Sequence, residues 1–319
     1  MTITIIGGNG FLGRRLRARL AEEGSSADVL VVARRPLEAD VRHAVADVRD
    51  VDALTAAVPR GAVVVNLAAE HRDDVAPERY GEVNVDGARN VCDAARRRGV
   101  RTIVFTSSVA VYDAAADTSE SAPCQPEGHY GASKLAAEGV YRQWQAESAD
   151  ERTLVIVRPA PIFGQGGAGN VATLMDRIAS PRFVLVGNGR NLKSLAYVDN
   201  VAAFLAFCLG LRQGVHIYNY VDKPDLTTAA LVALVRRELD LPAGDPLRIP
   251  YPVALAAAAL LDAVARSTGR EFAVTAARVR RFCAATVYET SVRSTGFCAP
   301  VPLAEALRRT ARAMVGRPG

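Results

Sequence analysis

The sequence predicts an α/β protein built on a doubly wound parallel sheet, with a smaller, mainly helical portion. Short β-branched runs alternate with longer segments whose apolar residues recur every three or four positions, which is the pattern of βαβ units. The run Val63–Val65 is continuously apolar, as expected of a strand whose sheet is covered by helices on both faces. A chain of 319 residues with 50% hydrophobic content can form one large α/β unit or two fused domains.

Five short runs are the predicted strands of the large sheet. In chain order they are Ile3–Ile6, Val29–Val32, Ala62–Leu67, Thr102–Thr106 and Thr153–Val157. After Pro159 the sequence becomes rich in glycine and proline, which indicates a loop that leaves the sheet. Two further strands, Phe183–Val186 and His216–Asn219, are mixed with helical patterns. The proline-rich stretch 241–252 then predicts a connection into the C-terminal helices.

The chain carries a formal charge of +5 and has a sequence pI near 9.1, which suits nucleic acid, a membrane surface or a phosphorylated ligand. Its arginines are spread over helix-like segments such as Arg14–Arg19 and Arg96–Arg98, and no basic run is interleaved with aromatic residues. We therefore expect no nucleic-acid partner, and we expect most of these arginines to form solvated helix faces.

The compartment is indicated by the cysteines and by the distribution of apolar residues. The five cysteines are widely spaced and lack a CxxC or Cys/His grouping, so neither a disulfide framework nor a metal site is indicated. The apolar start Thr2–Ile6 has no basic region before it, so we interpret it as the first strand rather than a signal peptide. Pro252–Ala265 is too short to span a bilayer and is interrupted by Asp262. We expect a cytoplasmic protein, with a peripheral position at the inner face of the cytoplasmic membrane as an open alternative.

A glycine motif follows the first strand and opens a helical pattern. Gly7, Gly10 and Gly13 form GxxGxxG, which permits a tight turn and lets backbone amides approach a pyrophosphate at the helix N-terminus. An ordinary tight turn is the alternative, although the position between strand and helix favours a Rossmann-type dinucleotide site. The residues of this turn expected to bind the cofactor are Gly7, Asn9, Gly10, Phe11, Leu12 and Gly13.

The end of the second strand bears on which nicotinamide cofactor is used. An acidic residue there would bind the adenosine ribose, but the sequence has Arg34 and Arg35, which favour the 2′-phosphate of NADP. The alternative is two exposed arginines in a surface loop. Asp47 and Val48 lie between the second and third predicted strands and are expected to contact the adenine ring, although Asp47 could instead cap the next helix.

Tyr130 and Lys134 lie four residues apart, on one side of a helical turn. We expect the lysine ammonium and the positive nicotinamide to lower the pKa of Tyr130, so that the phenol can exchange a proton with a sugar hydroxyl or keto group. Ser108, at the end of the fourth predicted strand, is expected to bind the same substrate oxygen. Ser107 competes for that role, with capping of backbone groups as its structural alternative. No GxSxG motif supports a serine hydrolase.

Several motifs occur together in a fixed order. They are GxxGxxG, Asn66-Leu67-Ala68-Ala69, Thr106-Ser107-Ser108, YxxxK, Arg158-Pro159 and Tyr197-Val198-Asp199-Asn200-Val201. The chain in this respect resembles the extended short-chain dehydrogenase/reductase family, in its nucleotide-sugar epimerase and dehydratase branch. The resemblance implies a Rossmann domain with an interleaved, smaller substrate domain, and a homodimer formed through core helices.

The same resemblance implies roles for residues outside the glycine turn. Asn84 matches a structural asparagine, and Pro159 and Ile162 lie on the segment that borders the nicotinamide. The cofactor-binding set therefore gains Leu67, Ala68, Ala69, Asn84, Tyr130, Lys134, Pro159 and Ile162. For the domains, we expect residues 1–160 to form the dinucleotide-binding unit, with 195–221 returning to it. Residues 161–194 and 222–319 are expected to form the substrate-binding portion.

A narrower resemblance extends into the C-terminal third. It rests on residues 68–74, Val186-Gly187-Asn188-Gly189, residues 218–226 and residues 281–286. These are similar to bacterial epimerases that invert C4 of N-acetylglucosamine linked through diphosphate to undecaprenol, supplying N-acetylgalactosamine for surface polysaccharides. The resemblance implies that Lys193 and Asn170 contact the diphosphate, with solvated surface residues as the alternative. It also implies that Pro252–Ala265 lies against the bilayer; the alternative is a buried core helix.

Arg34 and Arg35 depart from this resemblance, because epimerases of this type retain NAD. The rival function is therefore an NADPH-dependent 4-keto-sugar reductase, and bound oxidised cofactor in the purified protein would favour the epimerase. A more distant rival is a cofactor-sensing binding protein without activity. The presence of Ser108, Tyr130 and Lys134 together argues against it, because sensing needs no acid/base group.

Overall fold

The computed structural model describes most of the chain. The described residues are 1–25, 28–112, 118–167, 170–180, 183–241, 246–268, 270 and 274–315. The strands are β1 Ile3–Ile6, β2 Val29–Ala33, β3 His43–Val45, β4 Val63–Asn66, β5 Thr102–Thr106, β6 Thr153–Pro159, β7 Ile162–Phe163, β8 Val184–Val186, β9 Leu192–Tyr197, β10 Gly214–Tyr220, β11 Asp222–Thr227 and β12 Leu247–Ile249. The helices are α1 Phe11–Glu22, α2 Val51–Ala57, α3 Pro77–Tyr80, α4 Gly87–Arg98, α5 His129–Ala146, α6 Asn170–Ala179, α7 Val198–Cys208, α8 Thr228–Glu238, α9 Tyr251–Thr268, α10 Ala276–Cys283 and α11 Leu303–Val315.

Seven parallel strands form the large sheet, in the order β10-β6-β5-β4-β1-β2-β3. All five strands predicted for this sheet are present. The strand order reverses beside β1, because β2 and β3 lie on one side of it and β4 to β6 on the other. In doubly wound sheets, ligands bind outside the carboxyl ends of the strands at such a reversal. The register pairs Ile6 with Asn66 there, so the segments after β1 and β4 meet at this point.

Helices cover both faces of the large sheet, as the continuously apolar strands predicted. On one face, Leu16 of α1 and Phe204 of α7 are fully buried in one hydrophobic cluster. On the other, α4 and α5 bury Val91, Tyr141 and Trp144 in a second cluster. All four residues of β4 are buried, so this strand has no solvent-facing side.

The smaller portion combines helices with two small sheets. One sheet has the order β11-β9-β7, and the other pairs β12 with β8 in parallel. The expectation of a mainly helical portion missed some of this strand structure. The reason is that β11 has the polar sequence DKPDLT, which has a low propensity for strand. Its pairing with β9 stabilises it as a strand. Helices α6, α8 and α11 pack on these strands around Met175, Val235 and Leu307.

Helices α9 and α10 enclose a cluster of their own. Its buried members are Ala254, Ala258, Ala276 and Val279, and it touches β8 and β12 through Val186 and Ile249. Among the described residues, no helix combines the length and hydropathy that crossing a bilayer requires.

Candidate active site

The turn after β1 is shaped by glycines that pack against neighbouring backbone. Gly7 has φ of +79°, and a β-carbon there would lie 2.8 Å from the amide nitrogen of Ala68. A β-carbon at Gly13 would lie 2.5 Å from Cα of Gly8. Both contacts are with backbone that cannot move aside, so side chains at Gly7 and Gly13 would force the turn apart.

The same turn presents the N-terminus of α1 to a ligand. Gly10 is exposed at the N-cap, and none of the described side chains caps the first amides of this helix. The first turn of α1 also carries no acidic residue. Free amides, a positive helix end and a side-chain-free approach at Gly10 suit a pyrophosphate. Asn9 is exposed beside Gly10, and Phe11 and Leu12 are half-buried behind it. The cradle therefore fits a dinucleotide.

Arg34 and Arg35 follow β2 and are both exposed. Asp47 accepts hydrogen bonds from Nε and Nη2 of Arg49, at 3.0 and 2.8 Å. These bonds lower the pKa of Asp47 to about 2, and the positive charge of Arg34 contributes to the lowering. Arg34 and Asp47 therefore share one electrostatic environment at the end of β2 and β3.

The alternative in which Asp47 caps the following helix is wrong. Asp50 is the N-cap of α2, and its carboxylate accepts from the amides of Asp52 and Ala53. Asp47 instead holds Arg49, because the turn between β3 and α2 places it three residues before the cap. Val48 is buried.

Leu67, Ala68 and Ala69 follow β4 and are half-buried. The segment after them is held by Asn84, in a π-helical turn, Gly81–Asp86. The amide of Asn84 accepts from the backbone N–H of Glu70 at 2.8 Å and donates to its carbonyl at 3.0 Å.

Asn84 also donates to Oγ of Ser133 at 2.8 Å. Its side chain thus ties the segment after β4 to α5, through hydrogen bonds that all go to protein groups. This arrangement fits the structural role that the resemblance implied for Asn84.

Ser108 and Tyr130 come together at the start of α5. Ser108 lies after β5, and its hydroxyl accepts from the amide of Ala110 at 3.1 Å. A side-chain hydrogen bond joins Ser108 to Tyr130. Gly131 makes this approach possible, because a β-carbon there would overlap the carbonyl oxygen of Ala110. The role of Gly131 was missed in the sequence, where only its neighbours matched a catalytic pattern.

Burial sets the protonation of the catalytic group. Removal from water raises the pKa of Tyr130 above its ordinary value, and the hydrogen bond from Ser108 opposes this only in part. Burial lowers the pKa of Lys134 from 10.5 to about 7, while Glu138 acts in the opposite direction. Nζ of Lys134 lies 4.4 Å from the centroid of the Phe105 ring.

Among the protein groups, desolvation is the largest influence on both side chains, and it favours their neutral forms. The expected lowering of the Tyr130 pKa depends on the positive nicotinamide as well as on Lys134, so it stays a prediction.

Beneath Lys134 lies a buried ion pair between Glu138 and Arg158. Their side chains are 1% and 2% exposed, and Arg158 donates to both carboxylate oxygens at 2.8 and 2.6 Å. Ser107, the competitor of Ser108, is buried and donates to Glu138 at 2.7 Å. Ser107 therefore supports the ion pair, and its hydroxyl is not directed at Tyr130.

The network continues across the sheet from Arg158. Nη1 of Arg158 donates to the phenol of Tyr112 at 2.6 Å, and Tyr112 donates to Oδ1 of Asn219 at 2.9 Å. Asn219 lies in β10, so one hydrogen-bonded chain joins α5, β6 and β10. Glu138 was missed in the sequence, although its spacing four residues after Lys134 was a usable signal. Pro159 ends β6 and is buried, and Ile162 begins β7 half-buried.

Lys193 lies in β9, in the smaller portion of the chain. Its Nζ donates to the carbonyl oxygens of Ala284 at 2.7 Å and Arg281 at 3.1 Å. Burial lowers its pKa. Asn170 begins α6, and its side chain lies outside the described residues.

An open cleft of about 870 Å³ lies next to the segment that Lys193 contacts. Cys283 and Ala284 form part of its wall, together with the start of α9 at Tyr251. Its polar and charged lining residues are Asn188, Asn191, Arg248 and Arg280. The cleft can therefore accept an anionic group.

Two comparisons of the sequence with known proteins place this site in context. The model of the NAD-dependent epimerase/dehydratase family matches residues 3–220. N-acetyl-α-D-glucosaminyl-diphospho-ditrans,octacis-undecaprenol 4-epimerase of Escherichia coli O157:H7 is 42% identical over 97% of this chain and 93% of its own length. UDP-glucose 4-epimerase of Vibrio cholerae is 28% identical over 79% of each chain.

Solved structures share the fold at lower identity. UDP-N-acetylglucosamine 4-epimerase from Bacillus cereus superposes with a TM-score of 0.77 at 17% identity, covering 100% of this chain and 98% of its own. UDP-glucose 4-epimerase of Thermus thermophilus, solved with NAD, gives a TM-score of 0.75 at 22% identity, with 99% of each chain covered. At these identities the likeness is one of fold.

Proposed function

The chain belongs to the NAD-dependent epimerase/dehydratase family, and on this premise we propose that it is a sugar 4-epimerase. Its substrate is an N-acetylhexosamine linked through diphosphate to undecaprenol, and it converts N-acetylglucosamine to N-acetylgalactosamine for surface polysaccharide synthesis. One observation carries this proposal. The 42% identity to the undecaprenol-linked epimerase spans 97% of the chain, and so it includes the cleft-forming C-terminal part beyond residue 220, where the family match ends.

In this proposal the acid/base work falls to Tyr130. As phenolate, Tyr130 takes the proton of the C4 hydroxyl as C4 is oxidised, and the phenol so formed returns a proton to the same oxygen after the keto sugar has presented its other face. Ser108 binds that oxygen and orients it. When bound, NAD supplies the acceptor for the C4 hydride and gives the hydride back, so the reaction involves no net redox change.

The remaining protein groups prepare Tyr130 for this exchange. The Ser108 hydrogen bond is the protein contact that favours the phenolate, and burial opposes it. Lys134 holds its proton weakly, with a pKa of about 7. It can therefore respond to the charge of Tyr130 near neutral pH.

We assign the cofactor to the glycine turn and to the ends of β2 to β6. The amides at Gly10 to Gly13 would hold the pyrophosphate, and Asp47 and Val48 the adenine end. Leu67, Ala68, Ala69, Pro159 and Ile162 would border the nicotinamide end. The cradle at Gly7 and Gly13, which side chains would close, supports this assignment.

We further propose that Arg34 and Arg35 allow the site to accept the 2′-phosphate of NADP. Both are exposed, and the influence of Arg34 on Asp47 puts its charge on the adenine side. Replacing both with alanine should weaken NADP about tenfold and NAD much less, since a lost phosphate contact is worth about 1.4 kcal/mol. Titration of each cofactor against both proteins measures this. Equal weakening of NAD and NADP would remove the assignment.

A product assay tests the epimerase proposal against the reductase, which the two arginines favour. The protein is incubated with undecaprenyl-diphosphate N-acetylglucosamine and, separately, with UDP-N-acetylglucosamine, each with and without NADPH. We expect the lipid-linked C4 epimer, without consumption of NADPH. If only UDP-N-acetylglucosamine is converted, the carrier of the sugar in the natural substrate is a nucleotide and not a lipid. If neither substrate gives an epimer, and NADPH is consumed when a 4-keto sugar is supplied instead, the protein is a reductase. Cofactor binding without any turnover would identify a sensing protein.

Two expectations on assembly belong to this proposal. We propose a homodimer through the core helices, which light scattering tests. We also propose the division into a dinucleotide-binding unit, 1–160 with 195–221, and a substrate-binding portion, 161–194 with 222–319. The pairing of β10 with β6 and the burial of α7 beside α1 support it.

A further inference from the structure

Helix α9 buries two alanines and exposes several of its larger apolar side chains. The residues it buries are Ala254 and Ala258, which are 9% and 0% exposed. Three of its larger side chains are exposed, Val253 at 58%, Leu260 at 66% and Val264 at 38%, while Leu255 is half-buried against the cluster. An amphipathic helix in water ordinarily turns its larger apolar residues to the core.

The outward residues form one continuous stripe. We call Val253, Ala256, Ala257, Leu260 and Val264 the outer face of α9; all five are exposed and lie at spacings of three and four residues. Such spacing puts them on one side of the helix. An exposed apolar face of this kind marks an interaction surface.

The cleft opens at the N-terminal end of α9. Tyr251 is the first residue of α9, and it both lines the cleft and is 37% exposed. Leu247 in β12 is 70% exposed, next in sequence to the cleft residue Arg248. Exposed apolar side chains are therefore present at this end of α9 as well as on its outer face.

Exposed positive charge lies on the same pair of helices. Helix α10 packs against α9 and exposes Arg280 and Arg281, and Arg266 is exposed in the last turn of α9. The single acid of α9, Asp262, accepts a hydrogen bond from the amide of Ala276. Within the described residues of α9 and α10, exposed charge is thus positive only.

We propose that the outer face of α9 docks on the surface of an anionic membrane, with the arginines at the lipid headgroups. An apolar helix face flanked by basic side chains lies in the plane of such a surface, and charge complementarity selects lipid over a second, likewise basic, copy of this chain. An 18-residue helix is about 27 Å long, which suits this in-plane position.

This docking brings the cleft to the membrane, where the lipid carrier of the substrate lies. The identity of that substrate rests on the proposed function. A diphosphate whose polyprenyl chain stays in the bilayer would enter the cleft from the headgroup layer. The chemical class of the substrate is then a lipid-linked, not a freely diffusing, sugar diphosphate.

Flotation with vesicles tests the docking without any need for activity. The full chain is mixed with vesicles of phosphatidylethanolamine, with and without phosphatidylglycerol. We expect binding that requires phosphatidylglycerol and weakens as salt is raised. Leu260→Glu should reduce binding tenfold or more, on the order expected for losing one buried leucine and adding a charge. The matched control is Val215→Glu, at an exposed valine of β10, which should bind as wild type does.

Each outcome decides the proposal. Failure of the wild type to float with anionic vesicles overturns it, as does equal flotation of Leu260→Glu and wild type. If light scattering without vesicles shows that Leu260→Glu disrupts a dimer, the occupant is a second copy and the lipid proposal is wrong. Vesicle binding that depends on Leu260, in a protein without epimerase activity, would retain the docking and reject only the proposed function.

Discussion

The candidate active site and the α9 region depart from the usual distribution of residues in opposite directions. The first buries charge, with Glu138 and Arg158 at 1% and 2% exposure. The second exposes apolar surface, with Leu260 at 66%. Charged residues are rarely buried unless paired, and contiguous apolar stripes are rarely left in water. Each departure has an energetic cost, and each lies where we propose a ligand binds.

The two regions also differ in how they are stabilised. Around Glu138, hydrogen bonds from Ser107 and Arg158 occupy both carboxylate oxygens, so the buried charge is compensated. Beneath α9, the packing is carried by small residues such as Ala258, which bury little area. The first region is therefore stabilised by specific pairing, and the second leaves Val253, Leu260 and Val264 exposed.

The largest effect should come from Tyr130, the side chain that we propose exchanges protons with the substrate. Tyr130→Phe should lower turnover by about 10² to 10⁴, because general acid/base catalysis contributes roughly this factor. Cofactor affinity and unfolding free energy should change little, since the substitution removes only the hydroxyl and leaves the ring in place. Steady-state kinetics and cofactor titration measure this. A variant with wild-type turnover would exclude Tyr130 from the mechanism.

The next effect tests whether the buried charge is stabilised by its pairing. Glu138→Leu leaves Arg158 buried without its carboxylate and should cost about 3 to 5 kcal/mol of unfolding free energy. The double variant Glu138→Leu with Arg158→Met removes both charges and should recover most of this loss. Urea unfolding of the three proteins is the measurement. A loss below about 1 kcal/mol in the single variant would show that the pair is not the constraint we infer.

Asp222 extends the comparison to a buried carboxylate held by neutral donors. It accepts from the amide of Tyr197 at 2.6 Å and from Asn200 at 2.9 Å, and burial raises its pKa from 3.8 to about 6. A carboxyl whose pKa is raised on folding stabilises the protein fully below its unfolded pKa, and this contribution is lost as the pH rises through the folded value. Stability should therefore fall by about 1 to 3 kcal/mol between pH 4 and pH 7.

Thermal or urea unfolding across this pH range measures the Asp222 contribution. Asp222→Asn removes the titrating group and should flatten that part of the profile. If the variant keeps the wild-type slope between pH 4 and pH 7, another group is responsible.

The smallest effect should be found on the outer face of α9. Leu260→Ser should change the unfolding free energy by less than about 0.5 kcal/mol, because an exposed leucine contributes little to the folded state in water. Leu231→Ser, in the buried part of α8, is the matched control and should cost several-fold more. Similar losses for the two leucines would mean that the outer face of α9 is packed in solution, and the contrast between the regions would disappear.

Some elements of the fold and of the candidate site could be predicted from the sequence alone. The strands of the large sheet, the glycine turn and the juxtaposition of Ser108 with Tyr130 were predictable. They depend on β-branched runs, on glycines that must meet backbone, and on residues at a strand end or one helical turn apart. For Asp47 the sequence left two roles open, an adenine contact and a helix cap, because both use the same carboxylate near the same turn; its pairing with Arg49 came only from the structure.

The sequence by itself therefore determined the sheet, the cofactor turn and the catalytic spacing, because these are set by local backbone geometry. Only the tertiary structure decided that Arg158 pairs with Glu138, since residues 20 positions apart meet through the packing of α5 on the sheet. It alone decided that Lys193 donates a hydrogen bond to the backbone carbonyl of Ala284, and which side of α9 faces water. Helix α9 is apolar almost all round, so its periodicity cannot select a buried face, and the contacts with α10 make that choice.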